Sequence, residues 1–331
     1  MKKIFVTLEK VGINTFFFLL ILMIFLAYFF PEFGTENGPF PLQDITGIGI
    51  SLIFFFYGVK LSPTKLKEGL SNYKLHLVVQ TTTFVLFPIL VLLAYYLFGD
   101  EQSKLWLGTF YLAALPSTVS SSVVMVSIAG GNLPAAIFNA SISSMVGIFI
   151  TPMWMELMLP DSAVGFDLTD TIIKLSFQVL FPVIVGLFFH KYLIKWVSRY
   201  ATALKNFDQA IILLIVFTAF AESFAEDMFS GQSWGELLVL GAWMLGLFLI
   251  MMVLMHLIAK GLGFSDADRI TVLFCGSKKS LVQGAVMGRV MFPDPVVFGV
   301  ILLPLMVYHS LQLMVGSAIA QTMGDKYNKT A

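Results

Sequence analysis

The chain has 331 residues, 58% of them hydrophobic and only 12% charged, with 20 basic and 20 acidic side chains that balance to a net charge of zero. Soluble domains carry about 25% charged residues, so this composition excludes one and points to a polytopic membrane protein. No basic surplus suggests nucleic acid as a partner, and the single cysteine, Cys275, excludes an internal disulfide and a cysteine-based metal cluster.

A membrane-spanning helix needs about 20 apolar residues. In chain order the sequence predicts ten spans, at 11–30, 43–60, 76–98, 105–128, 133–158, 171–191, 206–225, 235–259, 268–292 and 296–320, with short connections and no stretch for a soluble domain. The first follows Met1-Lys2-Lys3, shows no small-residue cleavage site and runs into Pro31, so it reads as a retained helix and not a removed leader. Lysine and arginine set the orientation. With ten spans and an inside N-terminus, most of the 20 basic residues fall inside, among them Lys2, Lys3, Lys10, Lys60, Lys191, Arg199, Lys260 and Lys326. Lys104, Lys174 and Arg289 fall outside, where acidic loops carry Glu36, Asp100, Asp161, Asp167, Glu226 and Asp227. The expectation is an all-α, multi-pass protein of the inner (plasma) membrane with both termini cytoplasmic.

Ten spans with both ends on one face divide into two halves of five, and because five is odd the second half enters from the opposite face. That is the inverted repeat of secondary transporters, whose binding sites lie at matching interrupted helices. Span 4 holds Leu115-Pro116-Ser117-Thr118-Val119-Ser120-Ser121-Ser122, and span 9 holds Cys275-Gly276-Ser277-Lys278-Lys279-Ser280. Each is the fourth span of its half, and each opens on a helix breaker followed by serine. Pro116 removes a backbone donor, and Gly276 permits unusual backbone angles. Irregular backbone survives at membrane depth only where protein buries it or water lines it.

Lys278 and Lys279 are the most informative residues. A charge at the bilayer centre costs about 2.5–3.5 kcal/mol on insertion scales, so it normally faces a cavity or a partner. Counted from Asp268 at 1.5 Å per residue, Lys278 lies about 15 Å deep, too far for its stem to snorkel out. Glu222, the central acid, sits near the outer end of span 7 and makes a poor ion-pair partner. Plainer readings stand beside the functional ones elsewhere. The serine run also suits close helix packing. His309, which shares span 10 with Gln312, suits either an interhelical hydrogen bond or a proton carrier. Asn139 in span 5 could face a cation or span 4. Gln80 with Thr81–Thr83 suits packing, and the basic loop from Lys60 to Gly69 suits anionic lipid.

On these residues the chain resembles the bile acid:sodium symporter superfamily, and within it the branch that includes solute carrier family 10 member 7 and its bacterial relatives. The likeness is carried by Tyr57-Gly-Val-Lys-Leu-Ser62, the Leu115–Ser122 and Phe274–Ser280 segments, Ala129-Gly-Gly-Asn-Leu-Pro-Ala-Ala-Ile-Phe-Asn139 and Leu303-Pro-Leu-Met-Val-Tyr-His309. It implies ten helices in two inverted five-helix repeats, 1–158 and 159–331. Helices 1, 2, 6 and 7 would form a panel and helices 3–5 and 8–10 a core in which broken helices 4 and 9 cross. The bile-acid branch holds sodium partly with a Ser-Asn pair in helix 4, which falls on Ser121 and Ser122, and with a Glu and a Gln in helix 9, which fall on Phe274 and Lys278. Its helix 5 ligands fall near Ala136 and Ala140, with Asn139 the nearest polar residue, and its helix 3 glutamine falls near Thr83. The anionic ligand is absent and a cation stands beside the expected pocket, so any sodium would rest on Ser121, Ser122 and Asn139.

The expected function is therefore secondary transport of a small organic anion by alternating access, coupled to sodium or protons, or with a buried lysine in place of sodium. The predicted site comprises Pro116, Ser117, Thr118, Ser120, Ser121, Ser122, Asn139, Cys275, Gly276, Ser277, Lys278, Lys279, Ser280, His309 and Gln312. No cofactor and no nucleic acid are implied; the partners are the lipid bilayer, an organic anion and sodium or a proton. Two alternatives remain. One is a non-transporting regulator of ion homeostasis on the same fold, and the other is an intramembrane hydrolase with a Ser-Lys dyad using Ser277 or Ser280.

Overall fold

The computed structural model describes residues 15–35, 37–61, 72–98, 104–158, 168–225 and 234–330. Among these it contains helices and no strand. In chain order they are α1 Thr15–Phe29, α2 Leu42–Lys60, α3 Tyr73–Phe98, α4 Lys104–Ala114, α5 Ser120–Ala129, α6 Leu133–Met158, α7 Leu168–Arg199, α8 Ala201–Ala225, α9 Trp234–Gly261, α10 Asp266–Gly276, α11 Leu281–Met291 and α12 Pro295–Thr330. Seven of them (α2, α3, α6, α7, α8, α9 and α12) are long and apolar enough to cross a membrane, which makes this an integral multi-pass membrane protein. The expected spans at 105–128 and 268–292 are each split in two, into α4 with α5 and α10 with α11. The start of the first span at 11–14, Lys2, Lys3, Lys10, the basic loop at 62–71 and the acidic positions Glu36, Asp100, Asp161, Asp167, Glu226 and Asp227 lie outside the described residues, as do the side chains of Ser120, Lys104 and Lys326.

Helix ends follow their capping residues. The Asn72 side chain accepts from the Leu75 N–H at the start of α3, and Ser265 and Ser280 do the same for α10 and α11. α5 stops at Gly130, which takes the left-handed conformation at φ 79. Two π turns went unforeseen, Thr82–Leu86 in α3 and Ser176–Leu180 in α7, and each runs into the same tetrapeptide, Val-Leu-Phe-Pro. Proline without an N–H invites that change of register.

α2 lies flat against α7, and α1 packs on α8. The α2–α7 approach is set by Gly58 and Gly186, where an added Cβ would collide with the Val183 and Phe55 carbonyls. α12 touches α4, α5, α8, α9 and α11, so it forms the spine against which both interrupted segments rest. Large apolar side chains such as Leu97, Phe188 and Tyr192 stand on the outside, as a lipid-facing surface requires. A cluster of Tyr95, Trp106 and Trp243 at one end resembles an interfacial aromatic belt.

Candidate functional site

The first break starts at Pro116. Its ring offers no N–H, so α4 ends on carbonyls with no helical donor. Each is met from elsewhere. Thr151 Oγ1 of α6 donates to the Ala114 carbonyl at 2.8 Å, and Lys279 Nζ donates to the Ala113 and Leu115 carbonyls at 2.6 and 2.7 Å. The third acceptor for Lys279 is the Thr83 carbonyl of α3, at 2.8 Å. Its availability comes from the π turn. There the Phe87 N–H bonds the Thr82 carbonyl five residues back; Pro88, next in that register, has no hydrogen to give Thr83. Trp154 Nε1 fills the neighbouring vacancy at the Phe84 carbonyl, 2.7 Å away. Lys279 thus aims three N–H donors at three backbone oxygens, which requires the charged –NH3+ form. The Phe87 ring centre lies 4.3 Å from the same nitrogen and adds a cation–π contact.

The Lys279 peptide is held as firmly as its side chain. Its N–H donates to Gln312 Oε1 at 2.9 Å, and its carbonyl accepts from Gln312 Nε2 at 2.7 Å. Gln312 Nε2 also lies 2.8 Å from His309 Nδ1. Tyr308, the third contributor from α12, donates its hydroxyl to the Ser277 carbonyl at 2.6 Å.

The two breaks are stitched to each other. Ser117 Oγ donates to the Cys275 carbonyl at 2.7 Å, Ser122 Oγ to the Phe274 carbonyl at 3.2 Å, and the Ser280 N–H to the Pro116 carbonyl at 3.1 Å. Ser117 N–H in turn donates to Ser143 Oγ of α6 at 2.9 Å. Every one of these side chains is buried.

Lys278 differs from its neighbour. It is equally buried, but its nitrogen lies 3.4 Å from the Ser121 carbonyl, a long contact, and otherwise against Met125 Sδ and the Phe274 ring. An ammonium has three donors. Lys279 satisfies all of them with oxygen; Lys278 meets one carbonyl at the limit of bonding distance. The pair is therefore a sealed charge next to an under-coordinated one.

Several sequence expectations change here. Asn139 is not gathered with the serines. Gln80 Nε2 donates to Asn139 Oδ1 at 3.2 Å and to its carbonyl at 3.1 Å, while Asn139 Nδ2 donates to the Ala135 carbonyl at 3.0 Å. Ser121 Oγ donates to Thr118 Oγ1 at 3.3 Å, and Ser122 is committed to Phe274. The three oxygens once grouped for sodium each face a different partner, and among the described residues no cluster of His, Cys, Asp or Glu is placed for a metal. Gly276 closes α10 without a positive φ. What it supplies is room, since an added Cβ would sit 2.5 Å from Met255 Sδ. Ser277 Oγ donates to the Leu273 carbonyl at 2.7 Å and Ser280 Oγ caps α11, so neither hydroxyl is bonded to a lysine amine as a Ser-Lys dyad requires. Absent from the predicted site are Thr83, which entered only as the position of the family's helix 3 glutamine, Tyr308, which entered only within a matching string, and Phe87, Ser143 and Thr151; the available signal was Pro88 inside an apolar span.

The profile of the SBF-like CPA transporter family matches residues 14–325. The chain is 40% identical over 319 residues to "Uncharacterized protein PA2026" of Pseudomonas aeruginosa, covering 96% of this chain and 95% of that one. It is 39% identical over 310 residues to YfeH of Escherichia coli, named as a candidate symporter, covering 93% and 92%. It is 30% identical over 320 residues to Sodium/bile acid cotransporter 7-B of Xenopus laevis, covering 96% and 93%.

Proposed function

We propose a function from one premise: this chain belongs to the SBF-like CPA transporter family, and so is a transport protein and not an enzyme. On that premise it is a secondary carrier of a small organic anion, working by alternating access in the inner membrane with both ends cytoplasmic. Its ten spans form two inverted halves, 1–158 and 159–331, with α1, α2, α7 and α8 as the panel and the remaining helices as the core.

The observation that carries the reading is the Lys279 ammonium within 2.6–2.8 Å of three backbone carbonyls contributed by α3, α4 and the first break. Carbonyl rings of this kind replace the hydration shell of a bare cation. Here the cation is tethered to the chain. A mobile sodium about 4 Å from it would meet repulsion of roughly 4 kcal/mol at an effective dielectric near 20. The fixed charge therefore takes the place of a sodium at this point, whatever the cotransporter names of the Xenopus relatives say of those proteins. Lys278, with donors to spare, is the group that pairs with the anion.

Thermal unfolding of the purified protein in sodium chloride and in choline chloride of equal ionic strength tests this. The native protein should show no sodium-specific shift, and Lys279→Gln, with its carbonyls vacated, should acquire one. A sodium-specific stabilisation of the native protein overturns the tethered-cation reading. Across a panel of small carboxylates, any that stabilises the native protein should lose that effect in Lys278→Ala, and unchanged stabilisation in this variant removes Lys278 from the anion site.

A further inference from the structure

The polarity of the hydrogen bonds around Gln312 fixes the state of His309. The Lys279 N–H can bond only an acceptor, so the amide atom 2.9 Å from it is oxygen; the Lys279 carbonyl can bond only a donor, so the atom 2.7 Å from it is the NH2 group. One hydrogen of that NH2 goes to Lys279 and the other points at His309 Nδ1, 2.8 Å away. Nδ1 must therefore accept, which makes His309 neutral with its proton on Nε2. A proton on Nδ1 would set two donors against each other. Protonation of Nδ1 therefore breaks the Gln312–His309 bond, and the Gln312 amide must turn away from the ring and from the Lys279 peptide that it clamps.

We propose that His309 is a proton-binding site that opens the junction of the two helix breaks by displacing Gln312 from Lys279. It rests on the carrier reading for its purpose, since there it makes the proton the coupling ion. The charges around the ring support this. The Lys279 peptide shares the Gln312 amide with the ring, and Lys278 is its neighbour in the chain. Tyr111 of α4 turns its hydroxyl to the Gly284 carbonyl, and α5 offers Ser121 and Met125, which do not titrate. Ser223 of α8 bonds the Val296 carbonyl, which sets Glu222, like Arg289 of α11, level with the start of α12, about 20 Å along the helix from His309. His256 and Lys260 of α9 lie at its far end, next to α10. A proton on His309 therefore adds a third positive charge to two buried ammoniums. An anion at Lys278 offsets that cost, so proton and anion bind with positive cooperativity, each raising the affinity for the other by the same factor.

Cys275, the sole cysteine, sits buried at the second break and reports its opening without any engineered probe. The full chain in nanodiscs is treated with N-ethylmaleimide between about pH 8 and about pH 4, a span that reaches below the ordinary histidine range. The rate is divided by that of His309→Asn, whose side-chain oxygen replaces the Nδ1 acceptor but cannot be protonated there; the ratio cancels the thiol's own pH dependence. The ratio should rise by at least about fivefold toward low pH, the lower end of ordinary coupling between sites. A flat ratio overturns the proposal. So does a Gln312→Ala protein that keeps the native pH trend, because the displaced clamp is then not the cause. One measurement needs no variant. In native protein carrying 15N-histidine, the one histidine whose Nδ1 is bonded to an amide should show that nitrogen unprotonated at about pH 8, and a protonated Nδ1 there also overturns the proposal. If the maleimide ratio is flat while Lys279→Gln still gains its sodium response, the switch alone falls and the tethered cation stands.

Discussion

Two adjacent lysines with the same burial have opposite energetic roles, because one has three oxygen partners and the other has one distant one. Removing Lys279 leaves the carbonyls of Thr83, Ala113 and Leu115 buried without a donor. Each such orphan costs about 1–3 kcal/mol, so Lys279→Met should lose at least about 3 kcal/mol of stability, even after relief from burying a charge. Lys278→Met removes a poorly paired buried ammonium in favour of a side chain of similar length, and such exchanges are often neutral or stabilising. Its stability should stay within about 1 kcal/mol of native. Unfolding of the two variants in mixed micelles decides the matter: equal losses would mean that the lysines share one structural job, and the division between sealed and available charge would be wrong.

At the scale of helices, position rather than chemistry decides which glycines matter. Gly58 and Gly186 bring α2 and α7 to backbone contact, and a methyl group at Gly58 has only the Val183 carbonyl to push against. Backbone cannot yield as a flexible side chain does, so Gly58→Ala should cost about 1–3 kcal/mol. Gly47→Ala, on the same helix with open space around its Cβ, should cost nothing measurable or gain a few tenths from helix propensity. A thermal shift that fails to separate the two would refute the close approach of α2 and α7. The same scale marks what sequence could and could not disclose. The breaks were legible not from proline alone, since Pro152 and Pro304 sit inside helices, but because Pro116 opens a serine run and paired charges do not belong in an unbroken apolar span. The partners of Lys279 were not, because they are backbone carbonyls, which every residue carries. Their only trace was Pro88, and a proline inside an apolar run reads as a tolerated kink until the π turn before it is seen. The partners of Ser121, Ser122 and Asn139 were hidden for a related reason: a hydroxyl or amide can bond to any nearby polar group, and here they are Thr118, Phe274, Gln80 and Ala135.

Across the whole molecule, the contacts between chain segments agree with a count in which each broken pair of helices crosses the membrane once. Asn132, between α5 and α6, donates its side-chain N–H to Asp268 at the start of α10 at 2.8 Å. His190 Nδ1 of α7 lies 2.8 Å from the Val59 carbonyl of α2, and Lys60 lies 3.9 Å from Asp208 near the start of α8. At the other end, Gly34, after α1, packs on Phe217 and Ala221 near the end of α8. A ten-span count puts the first three contacts on one face and the fourth on the other, and the lysine and arginine excess predicts that the first face is cytoplasmic. If α10 and α11 together make one crossing, the residues at their two ends must emerge on opposite sides, although neither helix is long enough to span alone: 11 residues rise only about 16 Å each. Asp266, whose side chain is 92% exposed, and Pro293, in the exposed turn before α12, are the places to ask. With Cys275 replaced by alanine, Pro293→Cys should react with a membrane-impermeant maleimide added to intact cells. Asp266→Cys should stay silent until the membrane is opened. Labelling of both from outside would make the second break a re-entrant hairpin instead of an interrupted span. The inverted symmetry between the two halves would then lose its basis, because a hairpin returns the chain to the face it left and α12 would run the wrong way.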